Sequence, residues 1–125
     1  MRIGFDLDNT LIDYTESCKV YAQQESINEI NNLNELRNFF LSRKNYSSWT
    51  RAQSWLYYYG LEHAKLSEGV LATIRALNQS RSFVAVVSHK TEHTPPEFGS
   101  LPIRIQMQKW LHSTSLPSAI KNNIF

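Results

Sequence analysis

Two carboxylates and a hydroxyl follow the first apolar run of the chain at a spacing that could support phosphate chemistry. They are Asp6, Asp8 and Thr10, directly after the stretch Ile3–Phe5. Burying an unpaired charge is costly, so such groups are normally paired, bound to a metal or left outside a sheet. We therefore expect them at the end of a buried strand. Carboxylates are hard ligands that suit Mg²⁺ and the phosphoryl oxygens it bridges, which predicts a magnesium and phosphate site.

A second polar group follows the run Phe83–Ser88, the clearest buried strand after the first. Ser88 ends this run, and Lys90 lies two residues later. Ligands of open parallel sheets bind outside the carboxyl ends of the strands, because the loops diverge there and leave a crevice. We therefore expect Ser88 and Lys90 to lie in the same crevice as Asp6 and Asp8.

The segment between these strands is predicted to be mainly helical. Residues 13–64 are rich in Asn, Gln and Ser, with apolar residues at helical spacing. One helical stripe, broken near residues 31–34, contains Ile27, Ile30, Leu33, Leu36 and Phe40. A further helix is predicted to begin near Ser47 and to end at Gly60 as a left-handed cap.

The remaining elements predict a parallel sheet with a crossover. Ser67 is placed to cap a helix before the second strand, so the order is strand, insertion, helix, strand. This order describes a right-handed crossover between parallel strands. After it, Ser100 is predicted to cap a helix with Pro102 in its first turn, and residues 123–125 to begin a third strand.

Composition narrows the class of protein. The chain has 125 residues, 42% of them hydrophobic, which is enough apolar material for about one domain. Its net charge of +2 is spread along the chain without a basic block, so nucleic acid is not indicated as a partner. The single Cys18 allows no internal disulfide, and no apolar stretch is long enough to cross a membrane. We predict a cytoplasmic protein.

The sequence Phe5–Leu11, followed by Val86–Lys90, resembles the haloacid dehalogenase superfamily of phosphohydrolases. The first motif of that family is Asp-x-Asp-x-Thr after the first strand, and its second is a Ser or Thr after the second strand. The resemblance implies that Asp6 is the nucleophile, which forms an aspartyl-phosphate and binds Mg²⁺. It implies that Asp8 is the general acid and base and contributes its backbone carbonyl to the metal.

The resemblance also implies a substrate and a domain organisation. The substrate class is a small phosphomonoester, whose phosphoryl group Thr10, Ser88 and Lys90 would contact. The fold would be α/β, with a Rossmann-like parallel sheet. Residues 1–12 and 65–125 would form its core, and residues 13–64 a small helical cap inserted after the first strand.

The family's third-motif lysine and fourth-motif acidic pair are not found after Ser88, where the acidic residues are Glu92 and Glu97. We therefore expect a sheet that is incomplete at its C-terminal side, with an open edge on the first strand. Either a second copy or a complementing chain covers that edge, or the isolated protein is only marginally stable. The alternative function is that of an inactive or truncated protein of this fold, acting as a binding or interaction module.

Simpler roles remain open for several residues. A strand-terminal Asp can cap the turn that follows it, and Ser88 can be an ordinary turn residue. Lys90 can be an exposed, solvated lysine. The aromatic residues Trp49, Trp55 and Tyr57–Tyr59 are predicted to pack rather than to form a substrate platform.

Overall fold

Four strands and six α-helices make up the described part of the computed structural model, which covers residues 2–88 and 90–125 and, at Asp8 and Asn9, the backbone alone. The strands are β1 (Arg2–Asp6), β2 (Ile12–Asp13), β3 (Lys65–Leu66) and β4 (Phe83–Val87). The α-helices are α1 (Thr15–Gln24), α2 (Leu33–Leu41), α3 (Tyr46–Tyr58), α4 (Glu68–Gln79), α5 (Ile103–Ser113) and α6 (Ser118–Lys121). A π-helical turn covers Leu7–Leu11, and 3-10 helices cover Tyr59–His63 and Pro96–Phe98. The protein is therefore of the α/β class.

The chain divides into two compact units. The first consists of Met1–Asp13, Lys65–Lys90 and Gln108–Phe125, and the second of Tyr14–Ala64 and Thr91–Met107. Residues 91–107, which the sequence placed with the α/β core, thus group with the helical segment. Within the described residues, no helix combines the length and apolar character needed to cross a membrane.

The sheet of the first unit is parallel. β1 pairs along its whole length with β4, from Arg2 opposite Phe83 to Asp6 opposite Val87. This confirms the prediction that the two strands are parallel neighbours. Val84 and Val86 are 2% and 0% exposed, as their uninterrupted apolar run predicts. The prediction that Ile3–Phe5 is a buried strand is wrong: Ile3 and Phe5 are half-buried and Gly4 is exposed, because β1 lies at the edge of the described sheet.

The C-terminal segment occupies the other edge of β4. Ile124 forms an isolated parallel bridge with Val86. The N–H of Val86 donates to the Asn123 carbonyl at 2.9 Å, and the N–H of Phe125 donates to the Val86 carbonyl at 2.8 Å. The start of a third strand thus lies where the sequence predicted it. Among the described residues, β1 has β4 as its one neighbouring strand and forms the edge of the sheet.

The core of the first unit lies against β4 and the π turn. α4 packs on both of them, and α6 packs on β4. Ile74 of α4 and Leu7 and Leu11 of the π turn are fully or almost fully buried. Ser67 occupies the N-cap position of α4, as predicted, although its hydroxyl makes no capping hydrogen bond within the described part of the chain.

A second, very short sheet joins the two ends of the helical insertion. β2 and β3 are antiparallel, with Ile12 opposite Leu66 and Asp13 opposite Lys65. The N–H of Ser67 continues the pairing by donating to the Leu11 carbonyl at 2.8 Å. The residues that enter and leave segment 14–64 therefore lie side by side.

Aromatic and small residues pack α1 and α3 together in the second unit. The rings of Tyr21 and Trp55 lie 5.3 Å apart, and those of Tyr14 and Tyr57 lie 5.9 Å apart. A buried hydroxyl, Ser17 Oγ, donates to the carbonyl of Gly60 at 2.6 Å. Trp55 and Tyr57 therefore have the packing role that the sequence predicted for the aromatic residues.

The predicted start of the helical stripe at Ile27 is wrong, because a left-handed residue ends the preceding helix there. α1 ends in a Schellman motif, in which the N–H of Ile27 donates to the Ala22 carbonyl at 2.8 Å and Ser26 takes a φ of 56°. This turns Ile27 and Ile30 off the helix, so the helical stripe begins only at Leu33. α2 and α4 end in the same way, with Lys44 and Arg81 as their left-handed residues.

Gly60 and Ser100 do not have the capping roles predicted for them. Gly60 lies inside the 3-10 helix and is not left-handed. Its lack of a side chain serves packing, since a Cβ there would lie 3.1 Å from the ring of Trp55. Ser100 is itself left-handed, with a φ of 47°, so the chain is still turning there and α5 begins only after Pro102.

Candidate functional site

The structure places Asp6 and Ser88 at the same edge of the parallel sheet. Asp6 ends β1 and is paired in register with Val87, the last residue of β4. Ser88 follows Val87 directly. The first and second motif positions therefore emerge from the carboxyl ends of neighbouring strands, where parallel sheets bind ligands. Asp6 and Ser88 are both half-buried, so both remain within reach of a ligand.

The residues after Asp6 form a turn anchored by two leucines. Leu7 and Leu11 are 1% and 0% exposed and are spaced as on one face of a helical turn. Thr10 is half-buried in the same turn. Single π-helical turns occur frequently at functional sites. The sequence did not predict this turn, but the spacing of Leu7 and Leu11 is the signal that indicates it.

The Asp6 side chain is not used as a cap. Asp6 occupies the N-cap position of the π turn, yet its carboxylate accepts no capping hydrogen bond. No described residue forms an ion pair with it either. The simpler capping role considered for this carboxylate therefore has no support in the part of the chain that the structure describes.

The side chain of Asp8 lies outside the described residues. Its backbone lies in the π turn, one residue after the buried Leu7. The turn starts directly at the end of β1, so Asp8 follows Asp6 at the sheet edge. The acid and base role of its carboxylate stays a prediction.

Two hydrogen bonds hold Ser88 and Lys90 at this edge. The N–H of Ser88 donates to the Phe125 carbonyl at 2.8 Å, which ties the residue to the C-terminal segment. The Ser88 hydroxyl accepts from the N–H of Lys90 at 3.2 Å, as in a Ser turn. A hydroxyl that accepts still has its own O–H to donate, so this contact leaves a donor for a phosphoryl oxygen.

Lys90 is not a solvated surface lysine. It is 8% exposed, and it takes part in a polar or electrostatic interaction. Lysine is almost never fully buried unless it is paired. The alternative that Lys90 is an exposed, solvated lysine is therefore wrong, because the residue is buried close to the end of β4.

The described side chains fit a magnesium ion that keeps part of its water shell. They do not fit a site in which protein ligands alone surround the ion. Among the described side chains, which do not include those of Asp8, Asn9 and His89, no group of three or more His, Cys, Asp or Glu comes together. Mg²⁺ commonly keeps several waters and binds through one or two carboxylates together with a substrate phosphate. The uncapped Asp6 carboxylate is a donor of this kind. Asp6 would therefore hold Mg²⁺ chiefly in company with the phosphate.

No family model, curated protein or solved structure matches the chain.

Proposed function

We propose that the chain is a Mg²⁺-dependent phosphohydrolase of the haloacid dehalogenase type, acting on a small phosphomonoester. The observation that carries the proposal is the uncapped, half-buried carboxylate of Asp6 at the end of β1, with Ser88 at the end of the neighbouring strand. A carboxylate without an internal partner in this position is suited to attack a bound phosphoryl group. Ser88, Thr10 and Lys90 supply hydroxyl and ammonium donors to the same edge.

The proposed reaction has two steps. In the first, a carboxylate oxygen of Asp6 attacks phosphorus and the ester P–O bond breaks, while Asp8 gives its proton to the leaving oxygen. In the second, Asp8 takes a proton from water, the water oxygen bonds to phosphorus and the P–O bond to Asp6 breaks. Phosphate leaves, and both carboxyl groups return to their starting states.

The protein supplies positioning and charge. The Ser88 hydroxyl and the Lys90 ammonium offset the negative charge on the phosphoryl oxygens, which is the largest contribution that residues make to such transfers. Bound Mg²⁺ supplies further neutralisation of that charge. The rigid pairing of β1 with β4 fixes the separation of Asp6 and Ser88 before any substrate arrives.

The test is hydrolysis of an aryl phosphate with and without Mg²⁺ by the wild type and by Asp6→Asn. We expect Mg²⁺-dependent turnover in the wild type and none above background in the variant, because an amide cannot form the acyl phosphate. The exchange is isosteric and removes no capping bond, so far-UV circular dichroism should be unchanged. Glu68→Gln, which neutralises an exposed acid on α4, is the control and should keep full activity.

The second candidate is a binding module without turnover. A metal held by few charged ligands binds weakly, and the described side chains offer few. This candidate predicts saturable binding of a phosphate ester that Asp6→Asn weakens, with no hydrolysis by either protein. Equal hydrolysis by wild type and Asp6→Asn would reject the proposed role of Asp6 altogether.

A further inference from the structure

The outer edge of β1 is complementary to itself. Successive residues of a strand direct their N–H and C=O groups to opposite edges of the sheet. Val86 and Ser88 bond to the C-terminal segment, so Ala85 directs its groups towards β1. In a parallel ladder such a residue bonds to the two residues that flank its register partner, which is Gly4. Gly4 therefore directs its own N–H and C=O away from β4.

By the same alternation, Arg2 and Asp6 also direct their backbone groups to the open edge. Arg2 and Gly4 are exposed and Asp6 is half-buried, so neighbouring residues leave all three positions accessible. Among the described residues, no other strand pairs with them. An exposed row of backbone donors and acceptors is a template for another strand.

We propose that a second copy of this chain covers the edge, by antiparallel pairing of the two β1 strands about a two-fold axis at Gly4. In this register the two Gly4 residues exchange both hydrogen bonds of a pair, and the N–H of each Asp6 donates to the carbonyl of Arg2 in the other copy. Gly4 has no side chain to oppose the approach.

Side chains select a second copy and this register. Antiparallel pairing places Arg2 of one copy directly opposite Asp6 of the other, twice by symmetry, on one face of the sheet. On the other face it places Ile3 opposite Phe5, which are both half-exposed in the single chain. Opposite charges and apolar pairs in facing positions stabilise a sheet. A shift of the register by two residues would lose both charge pairs.

The pairing closes on itself. A two-fold interface uses the same patch on both copies, so it stops at a dimer. The opposite edge of β4 is occupied by residues 123–125, so the ladder does not extend there in the same way. The proposal is tested by association and not by hydrolysis, since it rests on the backbone and charges of β1. In the dimer the Asp6 carboxylate faces Arg2 of the other copy, so this ion pair and the attack on a phosphoryl group would compete for the same side chain.

The test is sedimentation equilibrium of the full chain over a wide range of concentrations. We expect the wild type to reach twice its monomer mass of 14.5 kDa. Arg2→Glu places like charges opposite each other at two symmetric positions and should weaken the dimer by about tenfold or more. Arg75→Glu makes the same charge change at an exposed position on α4 and should leave the dimer intact.

Two further variants separate the charge pairs from the backbone ladder. The double variant Arg2→Asp with Asp6→Arg exchanges the facing charges, and it should recover most of the affinity that Arg2→Glu loses. Gly4→Pro removes an outward N–H, which an edge strand tolerates, and it should abolish the dimer while circular dichroism stays unchanged. A wild type that is monomeric at every concentration would overturn the proposal. So would a dimer that ignores Arg2→Glu, or a charge exchange that restores nothing.

Discussion

Removing the Ser17 hydroxyl should destabilise the helical unit, and the cost can be worked out from its surroundings. Ser17 is completely buried, and its Oγ donates to the Gly60 carbonyl at 2.6 Å, which joins α1 to the 3-10 helix. In Ser17→Ala that carbonyl loses its side-chain donor in a place that water does not reach. Removing one partner of a buried hydrogen bond costs about 1–3 kcal/mol. Alanine returns up to about 0.5 kcal/mol as a better helix former, so the net loss is about 1–2 kcal/mol.

Two other serines of the chain make matched controls. The Ser113 hydroxyl donates to the Trp110 carbonyl, also at 2.6 Å, but this bond is exposed. Ser42 makes a similar exposed bond, to the Phe39 carbonyl at 3.3 Å, in the same unit as Ser17. Water can replace either hydroxyl, so both alanine variants should stay within about 0.5 kcal/mol of the wild type.

Urea denaturation followed by circular dichroism measures all three variants. With a slope of about 1–3 kcal/mol per molar for a small protein, Ser17→Ala should lower the midpoint by roughly 0.3–2 M. The slope itself should not change, because no additional surface is exposed. If the three variants lose the same stability, burial does not set the value of the Ser17 bond and the reasoning is wrong.

Two other predictions concern the charge and backbone of the second unit. Burial, and secondarily the Glu25 carboxylate, raise the pKa of Tyr21 above 10.0, against a smaller opposite effect of Arg51. The folded state thus holds the Tyr21 proton more tightly than the unfolded state, so the free energy of unfolding is unaffected below about pH 10 and falls as the pH rises further. In denaturation experiments, Tyr21→Phe should make that fall shallower. A pH dependence equal to that of the wild type would contradict the role of Tyr21. Lys44 is exposed and has a φ of 54°, a conformation that glycine adopts without steric cost. Lys44→Gly should therefore raise the free energy of unfolding by up to about 1 kcal/mol. An equal gain in Lys44→Ala would show that the positive φ is not the cause.

The sheet was predictable because its signals are local and strong. The runs before Asp6 and Ser88 are apolar, and each ends in polar residues, which indicates parallel strands whose ends share an edge. The predicted burial holds for the second run only, because β1 lies at the edge of the described sheet and none of its residues is fully buried. The same reasoning located the start of a third strand at residues 123–125. These features depend on the type of each residue and hardly on its neighbours in space.

The helix ends were less predictable, because glycine, the residue that usually follows a helix end, is absent from these positions. Ser26, Lys44 and Arg81 take the left-handed conformation that glycine usually provides, and none of them differs from an ordinary surface residue in the sequence. Gly60 attracted the prediction of a cap, although its role is to admit the ring of Trp55. The role of such a glycine depends on contacts between segments that are distant in the sequence, and the spacing of apolar residues does not report those contacts.

The candidate site was predictable in position but not in all its details. The order of residues indicated that Asp6 and Ser88 lie at one sheet edge, because the direction of the strands determines it. The burial of Lys90 was not predictable, since a lysine in a loop is more often solvated. Its environment depends on tertiary packing that the local sequence does not encode.

The pairing of β2 with β3 has a consequence for the order in which the chain folds. Arg2 pairs with Phe83, so joining β1 to β4 directly would close a loop that contains most of the intervening chain. Once Ile12 lies opposite Leu66, the insertion is bypassed and only the π turn, α4 and short connections remain inside the loop. The entropy of loop closure grows with the logarithm of length, so this shortcut makes the pairing of β1 with β4 easier by roughly 1 kcal/mol. The short antiparallel pair therefore favours the pairing of β1 with β4 whenever it forms first.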